Sequence, residues 1–386
     1  MTYGYRHYFR LLRRTLFPGA ADAPIPLQRR LIIGATLPLL MALQAVHRFA
    51  FLIDDLLFSG YKQIRVREPL FIVGVPRSGT TYLHRLLAQD DERFVVFRFW
   101  ELLLAPAICQ RKLFLGAMRI DRILGGPVKR VLTAAERLLF HGLDDIHRSS
   151  LAAPEEDYFA FLPICACFLL VALFPEDEAL WRLSRFDEAV PEGERERIMA
   201  FHYACFQRHL YIHGEDRRIL SKNPSFSSLI RALDRTYPDC RIICCLRNPL
   251  QAVPSLVSSM TTAADILHNG AGEPAFQKRL TEMALFYYRH LTGHLPRMPE
   301  DRHTFLTMEA LKADSDGQVR GVYRRLGYSL SPAFATALRR ESRQARRHVS
   351  RHRYSLEQFG IPPERLTTEL GAVFEAFSFQ KPPADD

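Results

Sequence analysis

"PLFIVGVPRSGTTYLHRLLAQD", residues 69–90, decides the fold. Its opening, "PLFIVGV", is an uninterrupted apolar run closed by glycine, the pattern of a parallel strand covered on both faces. The second half predicts a helix from about Thr80 to Ala88. Between them, Gly74, Gly79 and Thr81 keep the spacing of the phosphate-binding loop G-x-x-x-x-G-K-[ST]. Thr80 stands where that loop carries lysine, and Arg77 lies inside it. Backbone N–H groups and the helix N-terminus still suit a phosphate. The charge aimed at a γ-phosphate is missing, so the pattern fits a phosphorylated ligand that is not a triphosphate.

Outward from this stretch, strands are expected at "RRILS" (217–221), "CRIICCL" (240–246) and "RHTFLTM" (302–308), with a short one near Phe94 to Phe97. The first two of these runs are each followed by an apolar-periodic helix. Such alternation predicts an α/β fold with a central parallel sheet flanked by helices. Residues 67–380 would form one domain, with a helical insertion at about 101–212 over the strands' C-terminal edge, where α/β ligand sites form. Residues 1–66 read as an N-terminal helical segment, two helices joined by the linker "PGAADAPIP".

A second motif stands in "CRIICCLRNPLQAVPSLVSSM", residues 240–260. Arg247 ends a strand and Ser255 follows on the next helix, which Asn248 is placed to cap and Pro249 to open. Pro254 is expected to kink that helix. An arginine and a hydroxyl converging at a strand end suit a second phosphate. Together with "PRSGTT" and with "SKNPSF" (221–226), this spacing resembles the PAPS-dependent sulfotransferases of the bacterial P-loop type. The resemblance implies that Arg77, Ser78, Gly79, Thr80 and Thr81 hold the 5′-phosphate of PAPS, and that Arg247 and Ser255 hold its 3′-phosphate. It also implies that Lys222 approaches the sulfonate and its bridging oxygen. Phe226 departs from the pattern, since bacterial relatives often carry histidine there. The tail "RHRYSLEQFG" (351–360) resembles that bacterial branch as well, so the likeness runs from about residue 69 to about 378.

Sulfonyl transfer to an alcohol, phenol or amine needs a base, in-line placement and positive charge on the departing phosphate. By the resemblance, the base is a histidine or a glutamate just beyond the second strand. Glu101, in "FRFWELLLAP", occupies that place, although a carboxylate opening a helix is favourable without any catalytic role. Glu155, Glu156 and Asp157 in "APEEDYF" are rivals that read chiefly as a solvated helix start. His84 reads as a packed structural histidine. No HxH, HExxH or paired-cysteine spacing is present, so no metal is expected.

Composition sets the remaining expectations. Apolar residues make up 48% and charged residues 24% of the 386, a globular balance. Fifty-two Lys and Arg against 42 Asp and Glu leave a net charge of +10, which favours an anionic partner: a nucleotide, a phosphorylated ligand or a membrane surface. Nucleic acid is disfavoured because no reader motif appears. The odd number of cysteines, several in apolar runs, reads as buried free thiols of a reducing compartment, hence cytoplasmic. No signal peptide is expected, since "MTYGYRHYFRLLRRTLF" (1–17) lacks an apolar core and a cleavage site.

"LIIGATLPLLMALQAV" (31–46) is uncharged but short of the roughly 20 residues of a spanning helix. It is expected to be a buried or domain-packing helix, with an interfacial helix touching the membrane as the second reading and a true span as the third. "FLPICACFLLVALF" (161–174) is expected to be core before it is an acceptor pocket. The arginine run at 338–353 is expected to be a solvated helix face that adds field for PAPS or anionic lipid. The whole reading is a sulfotransferase moving a sulfo group from PAPS to a hydroxyl or amine of an apolar or lipid-like acceptor, leaving adenosine 3′,5′-bisphosphate. A P-loop kinase and a non-catalytic nucleotide-binding protein are the rivals. Acceptor identity and oligomeric state stay open.

Overall fold

The computed structural model describes residues 2–19, 25–127, 130, 152–266, 274–345 and 356–381. Five parallel strands form the sheet: β1 (Leu70–Gly74), β2 (Phe94–Val95), β3 (Arg218–Lys222), β4 (Arg241–Leu246) and β5 (His303–Thr307), in the order β2-β3-β1-β4-β5. Every residue of β1 is buried. Phe71 and Val73 point into one apolar core, Leu70 and Ile72 into the other. The unbroken apolar run is therefore needed, because each face of this central strand is covered.

The order also places the ligand site. The chain leaves β1 for β2 and β3 on one side and then crosses to β4 and β5 on the other, so β1 is the topological switch strand. Adjacent strands lie about 4.8 Å apart. Whatever follows β1, β3 and β4 at their C-terminal ends is thus brought together, and these are the loop 75–79, Lys222 and Arg247.

Helix α3 (Thr80–Leu87) follows β1. The insertion between β2 and β3 holds α4 (Phe99–Leu103), α5 (Ile108–Ile123), shorter turns, and α6 (Glu192–His213). Its residues 128–129 and 131–151 lie outside the described part. Helix α7 (Pro249–Ile266) follows β4 and continues across Pro254, and α8 (Pro274–His294) packs against it. From Phe161 to Phe174 the apolar run is mostly buried in the main core, the expected outcome. All seven cysteines are unpaired, six of them buried and Cys109 half-buried.

The N-terminal segment is two helices, α1 (Tyr5–Leu16) and α2 (Leu27–Leu57). Of the two forms first expected for 31–46, buried or domain-packing, α2 takes the domain-packing one and is not fully buried. Only 33% of its apolar 18-residue window is buried, so this helix packs along one stripe and leaves the rest of its apolar surface outside. The tail motif 351–360 and the arginine run 338–353 fall partly outside the described residues, at 346–355.

Candidate active site

The loop after β1 is built for close approach. Gly74 has φ +147°, and a Cβ there would lie 2.1 Å from the carbonyl oxygen of Cys245 on β4. No side chain fits, which accounts for the first glycine of the motif. Ser227 holds the same residue from the other side, accepting from the Gly74 N–H at 3.1 Å and donating to its carbonyl at 2.9 Å. Arg77 sits in the left-handed region at φ +72°, a strained conformation for a non-glycine residue and one that collects at functional sites. Gly79 follows at φ +87° and caps α3.

Ser78 tests whether the loop fits a phosphate. Its hydroxyl is fully buried and has no hydrogen-bond partner among the described residues. A buried hydroxyl without a partner is costly, and a phosphate oxygen in this loop would satisfy it. The residues present therefore fit an anionic group.

The two phosphate motifs meet directly. Arg77 Nε donates to Ser255 Oγ at 3.1 Å, and an Arg247 guanidinium nitrogen reaches the Arg77 carbonyl at 3.4 Å. Gln251 Oε1 accepts from Arg247 Nε and from a terminal nitrogen at 3.2 and 3.1 Å, while the Arg247 carbonyl accepts from Tyr288 at 2.6 Å. Asn248 caps α7 through the Leu250 N–H at 3.0 Å. Partial burial lowers the Arg247 pKa; Glu309 opposes the shift and neighbouring Arg77 adds to it. Two guanidinium groups and a buried serine at one strand edge form a cationic cradle.

Lys222, at the end of β3, is 1% exposed and joins the loop to an acid. Its ammonium donates to Thr81 Oγ1 at 3.1 Å and forms an ion pair with Glu156. Behind it, Ser221 Oγ donates to Asp157 Oδ2 at 2.6 Å, and His202 Nε2 lies 3.8 Å from the same oxygen. Burial raises the Asp157 carboxyl above its usual range against the pull of His202 and Ser221; burial raises Glu155 as well. Phe226, which stands where relatives often carry histidine, is buried against Phe71, Phe161 and His202. His84 is buried beneath this corner. Burial and nearby Lys222 push its pKa down to about 3, leaving it neutral at physiological pH.

Glu101 belongs to a different network. It is 1% exposed, and both oxygens are engaged: one accepts the Arg98 N–H at 2.8 Å, the other lies 2.7 Å from His213 Nε2. Burial alone would raise its pKa, but His209, the His213 hydrogen bond and Arg111 hold it well below the usual carboxylate range. Neither Lys222 nor the loop is among its hydrogen-bond or ion-pair partners. Donor atoms of Glu101, His209 and His213 lie within 4.8 Å of one another. Arg111, fully buried, already donates to His209 Nδ1 at 2.8 Å, so a fixed cation occupies the flank where a metal ion would be repelled.

Sequence reasoning thus reached the loop, Lys222, Arg247 and Ser255, which the topology brings to one edge. It missed Ser227, whose only signal was its place five residues beyond Lys222. It put Glu101 ahead of Glu156 as the base; the contact of Glu156 with Lys222 depends on a chain reversal, bringing Pro154 beside Arg98 as an antiparallel bridge, that nothing local marks.

The model of the sulfotransferase family matches residues 69–332. A curated omega-hydroxy-beta-dihydromenaquinone-9 sulfotransferase, Stf3, of Mycobacterium bovis and of Mycobacterium tuberculosis is 28% identical over 266 residues. That alignment covers 67% of this chain and spans 62% of the length of those relatives. The fold is similar to the crystal structure of sulfotransferase STF9 from Mycobacterium avium, with TM-score 0.73 and 19% identity over 97% of this chain and 92% of that one. STF1 from Mycobacterium tuberculosis H37Rv gives TM-score 0.65 and 18% identity over 95% and 92%. With its strand–loop–helix signature, its second arginine–serine motif and a family match across most of its length, the chain belongs to the sulfotransferase family.

Proposed function

We propose that this protein transfers a sulfo group from PAPS to a hydroxyl or amine of an apolar, lipid-like acceptor. The observation that carries the reading is the Arg77–Ser255 hydrogen bond at 3.1 Å, which joins two phosphate motifs 178 residues apart into one cradle. A donor with phosphates at both its 5′ and 3′ positions needs such a pair of sites. The name of the Stf3 relatives specifies a hydroxylated menaquinone, a long apolar alcohol, and that supports the acceptor class.

In this reading the loop residues Arg77 to Thr81 hold the 5′-phosphate and Arg247 with Ser255 holds the 3′-phosphate. When bound, PAPS supplies an activated sulfur whose bond to the 5′-phosphate oxygen breaks as the acceptor oxygen or nitrogen attacks. Lys222 stabilises negative charge on the departing phosphate. In place of Glu101 we assign the base to Glu156; what supports this is its ion pair with Lys222, which puts it beside the phosphate end of the site in this reading. Glu156 takes the acceptor's proton. Glu101, with both oxygens engaged, holds α4 in place. Unpaired buried cysteines suit a reducing compartment, and we place the enzyme in the cytoplasm.

Calorimetric titration with adenosine 3′,5′-bisphosphate, in the presence of a chelator, tests the donor site. Wild type should bind without Mg²⁺. Arg247→Ala should bind more weakly by about 1.5–3 kcal/mol, the worth of a hydrogen bond to a charged group, and Ser255→Ala by less. Equal affinity of wild type and Arg247→Ala would remove the 3′-phosphate assignment. ATP binding only with Mg²⁺ would turn the reading to a kinase. Labelled PAPS offered with a panel of apolar alcohols and amines then tests transfer; bisphosphate binding without turnover would leave a non-catalytic nucleotide-binding protein.

A further inference from the structure

Helix α2 is apolar on both of its faces. Its inward stripe buries Ile33, Leu37, Met41, Ala50 and Phe51. Among them Arg29, His47 and Asp54 find polar partners in the body of the protein, while both side-chain polar atoms of Gln44 have none among the described residues. Arg29 pairs with Glu176 at 2.6 Å, and His47 meets the Leu103 carbonyl at 3.0 Å. Asp54 caps α5 through the Ile108 and Cys109 N–H groups at 2.7 and 2.9 Å and pairs with Arg208 at 3.2 Å. The outward stripe is apolar: Leu27, Leu31, Leu39, Val46, Phe49, Leu52 and Leu56 are each more than half exposed. At 1.5 Å per residue, Leu27 to Leu56 extends about 44 Å. A water-facing helix shows the reverse arrangement, and singly scattered exposed leucines do not form such a line.

The neighbouring helices continue this surface. On α5, which packs against α2, Leu113, Ile120 and Ile123 are 76%, 60% and 83% exposed; on α1, Phe9 and Phe17 are 55% and 75% exposed. The charges among them are nearly all positive. Arg10, Arg13 and Arg14 on α1, Arg48 on α2, and Lys112, Arg119 and Arg122 on α5 are exposed, while Asp55 is the only exposed acid on the three helices.

We propose that α1, α2 and α5 form a docking face for an anionic phospholipid bilayer, with α2 lying in the plane of the headgroups. Apolar burial and attraction of basic residues to anionic lipid act together in such interfacial helices. The inward stripe argues against a spanning helix: polar ties at Arg29, His47 and Asp54, with Ile33, Leu37 and Met41 buried between them, hold one side of it to the protein, whereas a span needs about 20 residues surrounded by lipid. A second copy of the chain fits poorly, since a symmetric contact would set these arginines against one another. Helix α4 connects this face to the sheet's C-terminal edge, because His47 holds its Leu103 while Glu155 bonds to Phe97 just before it. This surface lies apart from the donor cradle, so its test is independent of the sulfotransfer reading.

The test is co-sedimentation of the full chain with vesicles of phosphatidylcholine alone and of phosphatidylcholine with phosphatidylglycerol. Wild type should pellet with both and prefer the anionic vesicles, the preference shrinking with salt. The triple variant Leu31→Ser, Leu39→Ser, Phe49→Ser alters only exposed or outward residues. It should lose about tenfold or more of its partitioning, while retaining wild-type bisphosphate affinity as proof of folding. Arg119→Glu with Arg122→Glu should abolish the preference for anionic vesicles and keep residual binding. Wild type remaining in the supernatant, or the triple variant pelleting as wild type does, would overturn the proposal. So would a dimer in solution that the triple variant dissolves, since a second copy would then cover the face.

Discussion

Glu156→Gln is expected to lower turnover by about 100-fold to 10,000-fold, the range for losing a general base, with bisphosphate affinity retained. The amide keeps the shape of the carboxylate but cannot accept the acceptor's proton. Because Glu156 is the ion-pair partner of Lys222, its loss leaves the buried ammonium with Thr81 Oγ1 at 3.1 Å as its other partner. A more electropositive Lys222 should hold the phosphate end at least as well, so the defect should fall on kcat and not on donor binding. Glu155→Gln, made in parallel, should keep far more activity, since Glu155 accepts the Glu156 N–H and is not the ion-pair partner of Lys222. Steady-state kinetics and titration on the same preparations decide the matter. Wild-type kcat in Glu156→Gln would remove the assignment, and a loss of bisphosphate affinity matching the loss of kcat would recast Glu156 as a donor-binding residue.

What was legible in the sequence is what local pattern controls. Strand β1 needs apolar residues on both faces, Gly74 meets the Cys245 backbone, and Asn248 and Pro249 open a helix directly after β4. Each of these leaves a mark within a few residues, and the parallel order then brings the marked strand ends together. The pairing of Lys222 with Glu156 is different in kind. It depends on a chain reversal that sets Pro154 beside Arg98, across an insertion whose packing no short pattern encodes. Three consecutive acids look solvated in sequence, yet Asp157 is buried and accepts from Ser221. Helix α2 shows the same limit: its run is apolar on every side, and which stripe turns inward is set by the distant partners of Arg29, His47 and Asp54 together with the burial of Ile33, Leu37 and Met41.

Glu101→Gln should act on stability before it acts on turnover. Glutamine keeps an oxygen for the Arg98 N–H, as the third helix position allows, so the substitution isolates the charge. Removing it weakens the hydrogen bond with His213 and takes the negative partner from buried Arg111. A hydrogen bond to a charged group contributes about 1.5–3 kcal/mol, and the 30% exposure of the His213 side chain places the loss near the lower end. The pH dependence follows from the sign of the shift. The folded-state pKa of Glu101 is depressed, so its contribution is fully present above the unfolded value, about 4.3, and fades as pH falls below it. Denaturant midpoints should therefore separate wild type from Glu101→Gln most widely at pH 7, with the gap narrowing as pH falls below about 4 and closing only once pH passes the depressed folded-state pKa. Turnover per folded molecule should stay within a few-fold of wild type. The opposite outcome, equal stability at pH 7 with turnover lost by 100-fold or more, would return the base to Glu101.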